Sequence, residues 1–458
     1  MINQDVKNKL DKVGCGFCLA KWTQVTMHLD KGMTHSCHHP SPHKIPLSEI
    51  SRNPSALHNT KFKKKQRKEM LEGKRPSECS YCWKVEDNSN SFSDRVFKSS
   101  EDWSLPHFKT IKNSNWREDF NPKYVEVSFS NTCNFKCAYC GPQFSSKWVE
   151  EIEKHGPYKK IDNYNGIEHL RAKNEMPYKK SEHNPYVEAF WEWWPDLYKD
   201  LHTFRITGGE PLLSGDTFKV LEYIQEHWEE NPNLSLAINT NLGVPDKLID
   251  RFISLIQDLS NNNKVRELII FTSIEADQKQ AEYTRHGLNS KKFWKNVNKI
   301  LTELPKVTIN VMATFNALSV FSYDKLIDKI FKLKQQYANG ERYWITPIQL
   351  DTSYLRWPPH LSVKILDREH KELILKSAKK ALYYGMKEYD HKNVGFTDVE
   401  IQKIKRIYDY AIGKDDFDIE KQRKNFVNFV NELDKRRDTN FLNTFPELNK
   451  LYATYSPQ

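Results

Sequence analysis

The sequence predicts an α/β protein: a partial TIM-like (β/α)6 barrel, with an irregular metal-cluster domain before it and a helical extension after it. Three observations carry this. Strand-like and helix-like segments alternate between residues 124 and 350. Helix-period segments fill 351–458. All eight cysteines stand at or before position 140, crowded into the first third of the 458 residues.

The strand candidates are YVEVSFS (124–130), TFRIT (203–207), LSLAINT (234–240), VRELIIFTSI (265–274), KVTINVMATF (306–315) and YWITPIQL (343–350). They are short and rich in β-branched and aromatic residues, as buried strands are. Helix candidates lie between them near 143–155, 186–201, 215–230, 245–260, 291–304 and 323–338. Such alternation implies parallel strands joined by right-handed crossovers. An incomplete barrel accommodates six units; an open doubly wound sheet is the alternative. Polar residues 156–183 interrupt the first unit and read as an insertion or flap. The aromatic stretch WEWWPDLY (191–198) reads as the apolar face of a helix. Three domains result: 1–122, 123–350 and 351–458.

The composition supplies a sizeable core, with 38% hydrophobic and 12% aromatic residues, so global disorder is excluded. No apolar run reaches the roughly 18–20 residues of a membrane span, and the start MINQDVKNKLDK has no apolar signal region. A soluble cytoplasmic protein that contacts no membrane is expected. The formal charge of +10 is a moderate excess and leaves RNA open as a partner. The densest basic run, KFKKKQRKEMLEGKR at 61–75, reads as an exposed helix face.

The cysteines occur in tight spacings, Cys15-x2-Cys18, Cys79-x2-Cys82 and Cys133-x3-Cys137-x2-Cys140, which favour metal ligation over disulfides. The last group, in SNTCNFKCAYC, has three thiolates where a closed tetrahedral site needs four. Soft thiolates select zinc, copper(I) or iron–sulfur clusters. The loop follows the first strand of the α/β region, and loops at the carboxyl ends of parallel strands carry the chemistry of such folds.

This C-x3-C-x2-C loop, with Tyr139 before its last cysteine, resembles that of the radical S-adenosylmethionine (SAM) superfamily. The resemblance implies a 4Fe–4S cluster on Cys133, Cys137 and Cys140. Its fourth iron is chelated by SAM, which reductive cleavage converts to methionine and a 5′-deoxyadenosyl radical. An electron donor such as flavodoxin or ferredoxin is implied too. Further motifs agree in order. Gly208-Gly209-Glu210, in RITGGEPLL at the end of the second strand, matches the family's GGE, which contacts the SAM amino group. The resemblance also assigns to SAM Tyr139, Asn239 in the Asn239-Thr240-Asn241 that ends the third strand, and Ser273 and Glu275 at the end of the fourth, this last pair near the ribose. Arg285-His286-Gly287 resembles an Arg-Gly segment at SAM, and Asn316 stands where relatives carry an adenine-side Asn.

The other five cysteines allow two metal readings. A split zinc ribbon uses Cys15, Cys18, Cys79 and Cys82. The alternative comes from a second resemblance. FCLAKW (17–22), GMTHSC (32–37), RKEMLEGKRPSECSYC (67–82), Glu86 and SDR (93–95) are similar to the auxiliary-cluster region of SPASM/twitch-type radical SAM proteins. It implies a second 4Fe–4S cluster on Cys18, Cys37, Cys79 and Cys82. Cys37 is the discriminating residue of this reading, and Cys15 of the zinc reading.

The activity expected is hydrogen abstraction from a substrate, with a peptide or protein preferred. Modification of RNA or a nucleotide, and activation of a partner enzyme, are the alternatives. A zinc-stapled nucleic-acid-binding protein is the non-enzymatic one.

Overall fold

The computed structural model describes residues 2–89, 91–161, 166–338, 347–389, 392–414 and 417–456. The chain forms two compact units, each assembled from separated stretches. The first comprises Met1–Ser130, Pro177–Ala237 and Asn263–Glu267; the second comprises Asn131–Met176, Ile238–Asn262 and Leu268–Gln458. The α/β class holds, with mostly parallel strands.

In the first unit, strands Gln24–His28, Tyr124–Ser128 and Thr203–Thr207 are parallel neighbours in that order. Met33–His35 and then His43–Lys44 extend the other side of Gln24–His28 as antiparallel strands. Alternate side chains of the two predicted strands, Val125, Val127, Phe204 and Ile206, are fully buried. The strand Gln24–His28 has no distinct local signature. It forms by pairing Val25 with Val125 and Met27 with Val127, far along the chain.

The N-terminal region has an apolar core of its own. Val6, Leu10, Phe17, Leu19, Trp22, Met70, Val96 and Ile111 pack together, none more than 2% exposed. Burying a large aliphatic or aromatic side chain contributes about 1.5–3 kcal/mol before entropy costs. The sequence shows no periodicity here because the core draws single residues from many short elements, among them helices Ile2–Asp11, Lys61–Leu71 and Asp94–Ser100.

Helix Lys61–Leu71 contains most of the basic run; Lys61, Lys65 and Lys68 are exposed, as expected of a solvated face, but two of its cations turn inward. Lys63 and Arg67 are buried, at 1% and 0% exposure. Arg67 donates to Asn59 Oδ1 at 2.8 Å and to the Lys21 carbonyl at 3.2 Å. Helix Pro185–Asp200 buries Phe190, Trp193, Trp194, Leu197 and Tyr198, so the aromatic stretch is a packing face.

In the second unit, strands Glu267–Ser273 (bar its first residue), Thr308–Phe315 and Ile348–Tyr354 are parallel neighbours. Ile309, Val311, Ala313 and Phe315 form the buried face of the middle strand. The last strand lies later than 343–350: it starts at Ile348, and 339–346 are outside the described residues. Strand Ser235–Asn239 straddles the division between units. Among the described residues of 156–183 there is one short helix, Glu168–Ala172; 162–165 lie outside them.

The C-terminal extension has helices Arg368–Tyr383, Asp398–Ile412 and Ile419–Arg437. The second starts in a capping box: the Thr397 hydroxyl accepts from Glu400 N, and the Glu400 carboxylate accepts from Thr397 N. Glu400 also accepts from Leu350 N at 2.8 Å and pairs with buried Lys334, tying this helix to the last strand. Among the described residues no helix is long and apolar enough to cross a membrane.

Candidate metal centres

The three-cysteine loop lies in the second unit and is held mainly by backbone bonds. Lys136–Cys137 pairs antiparallel with Arg285–His286, and Ala138 N donates to Thr284 O at 2.7 Å. Helix Ser146–His155 supports the loop from below: Trp148 Nε1 donates to Cys137 O at 2.9 Å, and Cys133 N donates to Ser146 Oγ at 3.2 Å. Gly287 has φ +109°, and a Cβ there would meet Asn134 O at 2.9 Å. The backbone therefore approaches the loop more closely than other residues allow.

Burial pushes the Cys137 and Cys140 thiols above their ordinary range, and Cys137 and Cys133 push Cys140 further. As thiolates, Cys133 and Cys137 would each repel Cys140. Such a set is stable as thiolates only with compensating positive charge, which a metal supplies. Arg285 supplies part of it, donating to Cys137 Sγ at 3.8 Å.

Three residues that the sequence assigned to SAM meet beside this loop. Arg285 Nε donates to Glu275 Oε2 at 2.8 Å, and the Tyr139 hydroxyl donates to the same oxygen at 3.2 Å. The Arg285 guanidinium lies 5.5 Å from the Tyr139 ring centre. Glu275 is fully buried, and its Oε1 has no hydrogen-bond partner among the described residues. Burial raises the Glu275 pKa, while Arg285 opposes the rise.

Arg437, the last residue of helix Ile419–Arg437, clamps the loop from the C-terminal extension. It donates to the Lys136 carbonyl at 2.7 Å and to both Glu151 oxygens at 3.1 Å. Lys136 and Tyr158 reach the same carboxylate at 2.6 Å. Burial acts to raise the Glu151 pKa, but Arg437 and Lys136 overcome it and bring it down to about 2. Sequence reasoning missed Arg437, which ends EKQRKNFVNFVNELDKRR and looks like an ordinary last-turn cation.

The other assigned residues are placed as follows. Ser273 ends its strand opposite Met312, and Asn239 ends Ser235–Asn239. Asn316 is fully buried, its amide donating to Thr314 O and accepting from Leu318 N, both at 2.9 Å. Gly208-Gly209-Glu210 belongs to the first unit. Gly208 has φ +130°, and a Cβ there would meet Ser130 O at 2.7 Å. Glu210, 2% exposed, caps the turn Pro211–Leu213 by accepting from Leu212 N at 3.0 Å.

The first unit gathers a second set of thiols. Cys18, Cys37, Cys79 and Cys82 line one pocket, together with Lys21 and Arg95. Cys15 is exposed and is not in its wall. Burial pushes Cys37 up to about 12, with Cys18 and Cys79 adding to it; burial pushes Cys79 up to about 11, with Cys18 adding. Cys82 in turn raises Cys18, and Cys79 raises Cys82, so each of the four thiols is coupled to another of the set. Lys21, 3% exposed, is paired with Glu78. Arg95 ties the region together: it donates to Glu86 through Nε and Nη2, to Asp11 at 2.8 Å and to the Phe17 carbonyl at 3.2 Å. Those contacts account for Glu86 and the SDR segment.

No family model matches the chain. It is 27% identical over 119 residues to GTP 3′,8-cyclase of Nautilia profundicola, covering 26% of this chain and 27% of that protein. It is 24% identical over 223 residues to the radical SAM cyclopropyl synthase TigE of Paramaledivibacter caminithermalis, covering 48% of this chain and 40% of that one. The match thus spans well under half the length of either relative. Among solved structures, native anSMEcpe with bound AdoMet and a peptide aligns at TM-score 0.30 and 16% identity, covering 56% of this chain and 60% of that one. The sequence relatives support the radical SAM superfamily, and an enzyme, without specifying a reaction.

Proposed function

We propose that this chain is a radical SAM enzyme that abstracts a hydrogen atom from its substrate, with a peptide or protein preferred. The observation carrying the proposal is the half-buried loop in which Cys133, Cys137 and Cys140 lie beside Tyr139, Glu275 and Arg285. The donors fit a 4Fe–4S cluster: three soft thiols, Cys140 repelled by the other two, with a guanidinium against Cys137. Such a cluster with SAM bound supplies, on reduction by a flavodoxin- or ferredoxin-type donor, the 5′-deoxyadenosyl radical.

The chain's own residues bind and orient. Cys133, Cys137 and Cys140 are the proposed ligands. Arg285 offsets their charge while Glu275 and Tyr139 hold its guanidinium in place. Arg437 and Trp148 fix the backbone from which Cys137 projects. Glu210 is proposed for the SAM amino group, and Gly208 and Gly209 for close backbone approach. Asn239, Ser273, Glu275, Arg285 and Asn316 are proposed for the rest of SAM.

A second 4Fe–4S cluster is proposed on Cys18, Cys37, Cys79 and Cys82, making 1–122 an auxiliary-cluster domain of the SPASM/twitch type before a core of 123–350 and an extension of 351–458. The inclusion of Cys37 in the pocket supports this over the zinc ribbon, which needs Cys15. Lys63 and Arg67 turn inward, so the basic face left for an RNA is that of Lys61, Lys65, Lys68, Lys74 and Arg75.

Anaerobic reconstitution with iron and sulfide analysis tests the reading. About eight iron per chain are expected from two clusters, with 5′-deoxyadenosine formed under reducing conditions. Stoichiometric zinc without iron, and no 5′-deoxyadenosine, would overturn it.

A further inference from the structure

His39 and Asp94 line the four-thiol pocket, and with the neighbouring His38 their ligand atoms all lie within 4.8 Å of one another. Asp94 Oδ2 is 3.1 Å from His38 Nε2 and 2.5 Å from His39 Nε2. Bonds of about 2.0–2.2 Å from one first-row ion put neighbouring ligand atoms about 3–3.5 Å apart. The Asp94–His38 distance falls in that range, while Asp94 and His39 stand closer, at hydrogen-bond distance, and must draw apart to share an ion.

Other contacts hold two of the three ligands in place. The His39 ring stacks on Tyr81, 3.8 Å between centres and 15° between planes. Asp94 opens helix Asp94–Ser100, whose cap is the Ser93 hydroxyl accepting from Arg95 N. Its neighbour Arg95 is anchored to Glu86 and Asp11. His38, at 62% side-chain exposure, leaves the site open to solvent.

We propose that His38, His39 and Asp94 form a mononuclear site for a divalent first-row transition ion, separate in donor chemistry from the four thiols. Two imidazoles and a carboxylate suit zinc, iron(II) or cobalt(II), whereas the soft thiols suit an iron–sulfur cluster. Three protein ligands leave one or more coordination positions to water or a small ligand. This goes beyond the two proposed clusters and does not depend on them.

Cobalt(II) is the probe, because its absorption distinguishes nitrogen and oxygen ligands from thiolate. The full chain is titrated anaerobically after iron–sulfur reconstitution. If it takes up no iron, the same titration is run with its thiols alkylated, so that failure of the cluster reading leaves this one still tested. One equivalent is expected to bind with weak ligand-field bands and no sulfur-to-cobalt charge transfer. His38→Ala removes an exposed side chain and should leave the fold intact while weakening binding at least about tenfold. Asp94→Asn should do the same. No cobalt binding, a strong sulfur-to-cobalt band, or affinity unchanged in His38→Ala would each overturn the proposal and reduce the cluster to a surface ion pair.

Discussion

The chain carries thiols in two settings built in different ways. Cys133, Cys137 and Cys140 sit within one short loop, and its shape comes from backbone ladders, a helix and a distant arginine. Cys18, Cys37, Cys79 and Cys82 come from separate segments, gathered by an apolar core and by Arg95. A loop site can be preorganised by its own neighbours. A site gathered from distant segments exists only once the whole region has folded, so its metal and its fold are coupled.

Substitution of the ligands breaks this comparison most directly. Cys137→Ala is expected to abolish 5′-deoxyadenosine formation and remove about half the iron; Cys37→Ala should remove the other half. Cys15→Ala should leave the iron content unchanged, because Cys15 is exposed outside the pocket wall. Iron and sulfide assays of the three variants check all of this. Equal iron in Cys37→Ala and the parent chain would remove the four-thiol proposal.

Next in size is Arg95→Ala. Arg95 and Glu86 are 1% and 6% exposed, so the change strands a buried carboxylate at a cost of about 3–5 kcal/mol. Denaturant unfolding should show the loss, with Arg95→Lys recovering only part because it cannot make the forked contact. Arg437→Met should cost less, about 1.5–3 kcal/mol, since Lys136 and Tyr158 still reach Glu151.

That variant also sharpens a pH dependence. Glu151 is brought from 4.5 down to about 2, so its folded pKa is depressed. Its stabilisation is present above about 4.5 and is lost as pH falls toward about 2. Acid unfolding curves of Arg437→Met should be flatter over that window than those of the parent chain. The smallest effect is expected from Thr397→Ala, which removes half a capping box from helix Asp398–Ile412. It should cost about 1 kcal/mol by thermal unfolding and leave iron content unchanged.

Much of the fold was legible because its signals are local. Strands Tyr124–Ser128, Thr203–Thr207 and Thr308–Phe315 are runs of β-branched and aromatic residues whose alternation survives in the burial of Val125, Phe204 and Val311. Gln24–His28 was not legible, because its pairing with Tyr124–Ser128 joins distant residues and leaves no periodicity. Nor was the burial of Lys63 and Arg67: a run of cations looks solvated until partners such as Asn59 and the Lys21 carbonyl appear.

At the candidate centres, the sequence by itself determined the ligand chemistry: which thiols exist, their spacing, and the turns in which Gly208 and Gly287 allow close backbone approach. Residue type and spacing set donor softness and local geometry, and both are local properties. Tertiary structure decided which thiols share a pocket, leaving Cys15 out and bringing Cys37 in. It also decided that Arg437 grips the loop and that His38, His39 and Asp94 converge. Those outcomes depend on contacts between residues far apart in the chain, which only burial and long-range pairing bring within reach of one another.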